Sequence, residues 1–64
     1  MSRIKRGGYI FWTSVADHSP RHVHVFRDDR LVLKWDLERG QPMQGFGHRR
    51  IVRLITELQR EGKL

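Results

Sequence analysis

The sequence predicts an α+β fold: an antiparallel meander of three or four strands with one C-terminal helix packed on one face. Three observations predict it. Leu31, Leu33, Trp35 and Leu37 alternate with Val32, Lys34 and Asp36, the period-two signature of a strand with one buried face. Ile51, Leu54, Ile55 and Leu58 recur at i, i+3, i+4 and i+7, the single apolar stripe of an amphipathic helix. Between them, short polar turns separate runs rich in β-branched and aromatic residues, which favour strands.

The elements follow in order. Met1 to Gly8 is a basic arm carrying Arg3, Lys5 and Arg6, expected to be flexible, with Gly7-Gly8 as its hinge. Such an arm is either a frayed terminus or a phosphate-contacting segment. Tyr9 to Val15 is the first strand. Ala16 to Arg21 is a loop, because Pro20 has no N–H to give a sheet. His22 to Arg27 is the second strand, with Val23 and Val25 toward the core and His22, His24 and Phe26 toward the wetter face. Arg27-Asp28-Asp29-Arg30 is a polar hairpin turn. Leu31 to Leu37 is the third strand, and Glu38-Arg39-Gly40 turns the chain. Gln41 to Gln44 is a short fourth strand at a sheet edge, where Pro42 is tolerated. The helix runs from His48 to about Arg60, and Gly62 stops it. No Ser, Thr, Asp or Asn caps its start, so the first-turn N–H groups favour an anion near Gly47 to Arg50.

Sixty-four residues make a single domain, spanning 1–64. A chain of this size buries only about 60% of its unfolded surface and leaves no room for an interior cofactor cavity. It has no cysteine, which excludes a disulfide framework and a Cys-based zinc site. No apolar run approaches the roughly 18 residues of a membrane span, and no signal-type stretch follows Met1 to Arg6. The expectation is a cytoplasmic protein with no membrane partner. Thirteen Lys and Arg against seven Asp and Glu give a net charge of +6. Full protonation of the four histidines would take it to +10. Nucleic acid, or an acidic protein, is the partner that such a balance points to.

Chemistry concentrates in Asp17-His18-Ser19-Pro20-Arg21-His22-Val23-His24, where three of the four histidines lie within seven residues. Metal-free RNA cleavage needs a base for the 2′-hydroxyl, an acid for the leaving oxygen, and cations against the developing charge. Histidine suits both proton roles because its unperturbed pKa is ~6.5. His22 and His24, at i and i+2 on one strand face, stand ~7 Å apart and bracket a phosphate. His18 joins them from the loop, with Asp17 orienting one imidazole. Arg21, Lys34, Arg49 and Arg50, with Lys5 and Arg6 of the arm, supply positive charge. Trp12, Phe26 or Tyr9, where exposed, would stack on a base.

The same histidines admit two other readings. His18, His22 and His24 form an H-x3-H-x-H pattern, and two histidines at i and i+2 chelate zinc, nickel or copper. A divalent metal is therefore the one cofactor the pattern admits; the cleavage reading needs none. Alternatively, Asp17 or His18 caps the loop through backbone amides, and the chain is a non-catalytic module for nucleic acid or a protein partner.

Asp17 to His24 also resembles the Asp-His-x-Pro-Pro-His-x-His motif of the bacterial family catalogued as domain of unknown function 4160. Trp35-Asp36-Leu37-Glu38-Arg39-Gly40 is similar to that family's strand and glycine turn, and Arg49-Arg50 to its arginine pair. The likeness runs from about Gly8 to Leu58; Arg21 stands where the family has its second proline. The resemblance implies a compact sheet-plus-helix protein, often encoded beside a second small domain of unknown function numbered 2442, in a toxin–antitoxin-type pair. The combined expectation is a small basic toxin–antitoxin-like protein. It would bind or cleave RNA, with DNA as a further ligand and a small acidic antitoxin-like protein as partner.

Overall fold

The computed structural model describes residues 2–13 and 21–64. Five strands, β1 (Ser2–Arg6), β2 (Tyr9–Thr13), β3 (His22–Arg27), β4 (Arg30–Asp36) and β5 (Gln41–Gly45), precede one helix, α1 (Arg49–Arg60). The strands form one antiparallel sheet in sequence order. The fold is thus α+β with five strands, one or two more than the sequence predicts.

The extra strand is the basic arm. Ser2 to Arg6 pairs with Tyr9 to Thr13, and Arg6 opposes Tyr9 across a two-residue turn. Both turn residues, Gly7 and Gly8, have positive φ, 61° and 84°. That is the hairpin geometry whose twist matches the flanking strands. A Cβ on Gly7 would also come within 2.8 Å of Leu54 Cδ1, so this turn packs beneath the helix. The glycines make a hairpin here, and the expected hinge is absent. Asp28 and Asp29, at φ 52° and 62°, build a second two-residue turn of the same kind between β3 and β4.

Alternation along the strands divides the sheet. Phe11, Val23, Val25 and Leu33 are completely buried on one face, with Tyr9 and Trp35 beside them. α1 covers that face with Ile51, Ile55 and Leu58. The helix ends as its glycine predicts. Gly62 takes φ 77°, its N–H donates to the Gln59 carbonyl, and that of Lys63 donates to the Leu58 carbonyl. These two bonds satisfy carbonyls that have no partner within the helix. At the other end His48 makes no side-chain cap, in keeping with the sequence.

The period-two reading of Leu31 to Leu37 needs correction. A bulge between Val25 and Phe26 sets Leu31 opposite Phe26 and Leu33 opposite Val25. The extra residue on β4 reverses alternation, so Leu31 lies on the uncovered face, 39% exposed, while Val32 packs against the core. Leu37 is half-buried just beyond the strand. Asp36, expected on the wet face, is 1% exposed. Its Oδ1 accepts hydrogen bonds from the backbone N–H of Glu38 and of Arg39, each at 2.9 Å. This carboxylate shapes the β4–β5 turn. Ser14 and Val15, expected to end the first strand, and the loop from Ala16 to Pro20 lie outside the described residues.

Candidate nucleic-acid interface

The helix covers only one face of the sheet. On the other, strand registers align one row across all five strands. Arg3 opposes Trp12, Trp12 opposes His24, His24 opposes Lys34, and Lys34 opposes Gln44. The next row sets Lys5 opposite Ile10, Ile10 opposite Phe26 and Phe26 opposite Leu31. Directly opposed residues on antiparallel strands project to the same face, so these two rows form one aromatic and basic surface.

The rings are in mutual contact. His24 lies 5.1 Å from Trp12 and 5.1 Å from His22 between centroids. Phe26 is 6.4 Å from His24 with the planes 20° apart. His24 Nδ1 is buried with no hydrogen-bond partner among the described residues. Burial foremost, and then the charges of His22 and Lys34, hold the His24 pKa below the ordinary imidazole value, against a smaller upward pull from the Trp12 backbone. The neutral imidazole is therefore favoured in the fold. Beside these rings a groove of about 430 Å³ opens, lined by Arg3, Ile10, Trp12, Phe26 and Asp29.

The structure divides the expected site residues. His22, His24, Lys34 and Lys5 share the uncovered face. Arg6 faces the other way and holds Glu61 through two hydrogen bonds of 2.6 and 2.9 Å, tying β1 to the end of α1. Arg21 is exposed at the foot of β3, where its backbone N–H donates to Glu38 Oε2. Arg49 and Arg50 are exposed at the start of the helix, in the layer across the sheet from His24. Asp17 and His18 lie outside the described residues. The described residues contain no group of three His, Cys, Asp or Glu able to hold a metal ion. The described portion of the three-histidine pattern is the His22–His24 pair.

Sequence reasoning missed Arg3, Ile10 and Asp29 as parts of this surface. The signal for the first two was present. Arg3-Ile4-Lys5 alternates charged and apolar residues just before Gly7-Gly8, and a Gly-Gly pair between alternating runs marks a hairpin. Asp29 had no such signal, because its place on the face depends on a turn and a bulge.

No family model, curated protein or solved structure matches this chain. Among the described residues no helix is long and apolar enough to cross a membrane.

Proposed function

We propose that this protein binds single-stranded RNA on the uncovered face of its sheet. The observation that carries the reading is the row Arg3, Trp12, His24 and Lys34, in which two adjacent rings are flanked by a cation on either side across four neighbouring strands. Aromatic rings on an open sheet stack unpaired bases, and flanking cations meet the phosphates. The net charge of +6 supports the same class of ligand.

Titration of a labelled RNA oligomer against salt tests this. Arg3, Lys5 and Lys34 are three cations on the face. A plot of log affinity against log salt should therefore slope at about −2, and Arg3→Gln with Lys34→Gln should flatten it to about −0.7. Binding that ignores salt and both substitutions would remove the reading.

Cleavage is a second reading, favoured by the contact between His22 and His24 and by the neutral state of His24. A neutral imidazole accepts a proton from a 2′-hydroxyl, and the leaving oxygen needs a proton donor, the role His22 would fill. Total RNA incubated with EDTA should be cut by the wild-type protein and spared by His22→Ala/His24→Ala. Survival of the RNA in both lanes leaves binding alone. A protein partner would meet a different surface. Met43 and Phe46, 44% and 69% exposed, precede Arg49 and Arg50 in sequence, a pairing of apolar and basic groups suited to a small acidic protein of the kind the motif resemblance implies.

A further inference from the structure

We propose that the groove between Trp12 and Phe26 is a guanine site, with Asp29 and Arg3 reading the two edges of the base. The inference rests on the RNA-binding reading and names the base that the surface selects.

Three features carry it. The first is size. A volume of about 430 Å³ stands at the small end of ligand pockets, roughly 300–1,000 Å³, and suits one nucleotide. The second is the lining. Ile10, Trp12 and Phe26 are apolar, half-buried and placed for stacking, since Phe26 opposes Ile10, two residues along β2 from Trp12 and on the same face. The third is the pair of charges. The remaining lining residues are one cation, Arg3, and one anion, Asp29. Asp29 makes no ion pair or side-chain hydrogen bond among the described residues.

An anion on a phosphate-binding face is unfavourable unless it meets donors. A carboxylate is acceptor-only. Guanine alone among the four RNA bases offers two adjacent donors on its Watson–Crick edge, N1–H and the N2 amino group, which match the two carboxylate oxygens. Adenine and cytosine place a ring-nitrogen acceptor beside their amino group. Uracil flanks its N3–H with two carbonyls. On each of these, one carboxylate oxygen would face a lone pair. Guanine's opposite edge carries the O6 and N7 acceptors that arginine engages in bidentate fashion. One acid and one arginine bordering an apolar slot thus complement guanine.

Competition on the wild-type protein is the test. A labelled RNA oligomer is displaced with 5′-GMP, 5′-AMP, 5′-CMP and 5′-UMP at fixed salt. GMP should compete at roughly tenfold lower concentration than the others, the scale of one bidentate base contact. Asp29→Asn is the companion variant. Asparagine suits positive φ as well as aspartate does, so the turn is kept. Removing the negative charge would by itself tighten every nucleotide, but the proposal expects GMP alone to weaken, to within about threefold of AMP. Equal competition by all four nucleotides, or an Asp29→Asn variant that tightens GMP along with the rest, overturns the guanine assignment and leaves RNA binding standing. Failure of the oligomer itself to bind removes both.

Discussion

The imidazole of His24 packs against Trp12, His22 and Phe26 with Nδ1 buried and unpartnered among the described residues, so protonation opposes the fold while, on the RNA-binding proposal, it should favour the ligand. The folded pKa lies below the unfolded value. The unfolded chain therefore binds more protons once the pH falls below about 6.5, and stability declines from there down to the folded value. RNA affinity should rise over the same range, because a cation appears amid the rings. His24→Phe keeps the ring and removes the proton. Its melting temperature should hold steady between pH 7 and 5 where the wild type falls, and its RNA affinity should lose the acid-side rise. Parallel pH profiles for the two proteins would refute the account. Asp36 is the second decisive residue. Its buried carboxylate holds two backbone N–H groups, and hydrogen bonds to a charged group contribute about 1.5–3 kcal/mol. Asp36→Ala should cost about 2 kcal/mol in urea unfolding, and Asp36→Asn, which keeps one acceptor oxygen, clearly less.

Among the elements, α1 is the one formed against its own local chemistry. Its first turn holds Arg49 and Arg50 but no acid and no side-chain cap, so two cations sit at the positive end of the helix dipole. Burial of Ile51, Ile55 and Leu58 and the bonds around Gly62 hold the helix instead. His48→Asp should add a cap and a favourable charge, raising stability by about 1 kcal/mol and the melting temperature by roughly 4–8 °C. A lower melting temperature would mean that the ring of His48, 4.7 Å from that of Phe46, matters more than the missing cap. The edge strand β5 is held differently. All five of its residues are exposed, and a Cβ on Gly45 would fall 2.5 Å from the Val32 carbonyl oxygen. Only glycine fits where β5 crosses the bulged β4.

For the molecule as a whole, Arg6–Glu61 joins the first strand to the last residues after the helix. The bidentate bond from Arg6 above all holds the Glu61 carboxyl down at about pKa 2, against an ordinary 4.5. Its stabilising contribution is complete above about pH 4.5 and is lost as the pH falls toward 2. This window opens at about pH 4.5, below the 6.5 at which the His24 effect sets in. Glu61→Gln should flatten the lower acid limb and leave the upper one intact. Because the pair is exposed, high salt should mimic the substitution at neutral pH.

By itself the sequence determined the α+β class, the helix stripe and its glycine stop, the valine-in and histidine-out alternation of β3, and the placement of His24 and Lys34 on an uncovered face. These are local properties, set by side-chain periodicity and by the few residues that tolerate special backbone angles. The alternation of Arg3, Ile4 and Lys5 before Gly7-Gly8 also carried the signal of a hairpin, but tertiary structure decided the rest. It joined that hairpin to the sheet, in the row where Arg3 opposes Trp12 and Trp12 opposes His24. A bulge moved Leu31 to the uncovered face, the helix layer separated Arg49 and Arg50 from His24, and Glu61 engaged Arg6. Register, bulges and ion pairs between distant residues depend on which strands meet, and no periodicity along one strand encodes its partner.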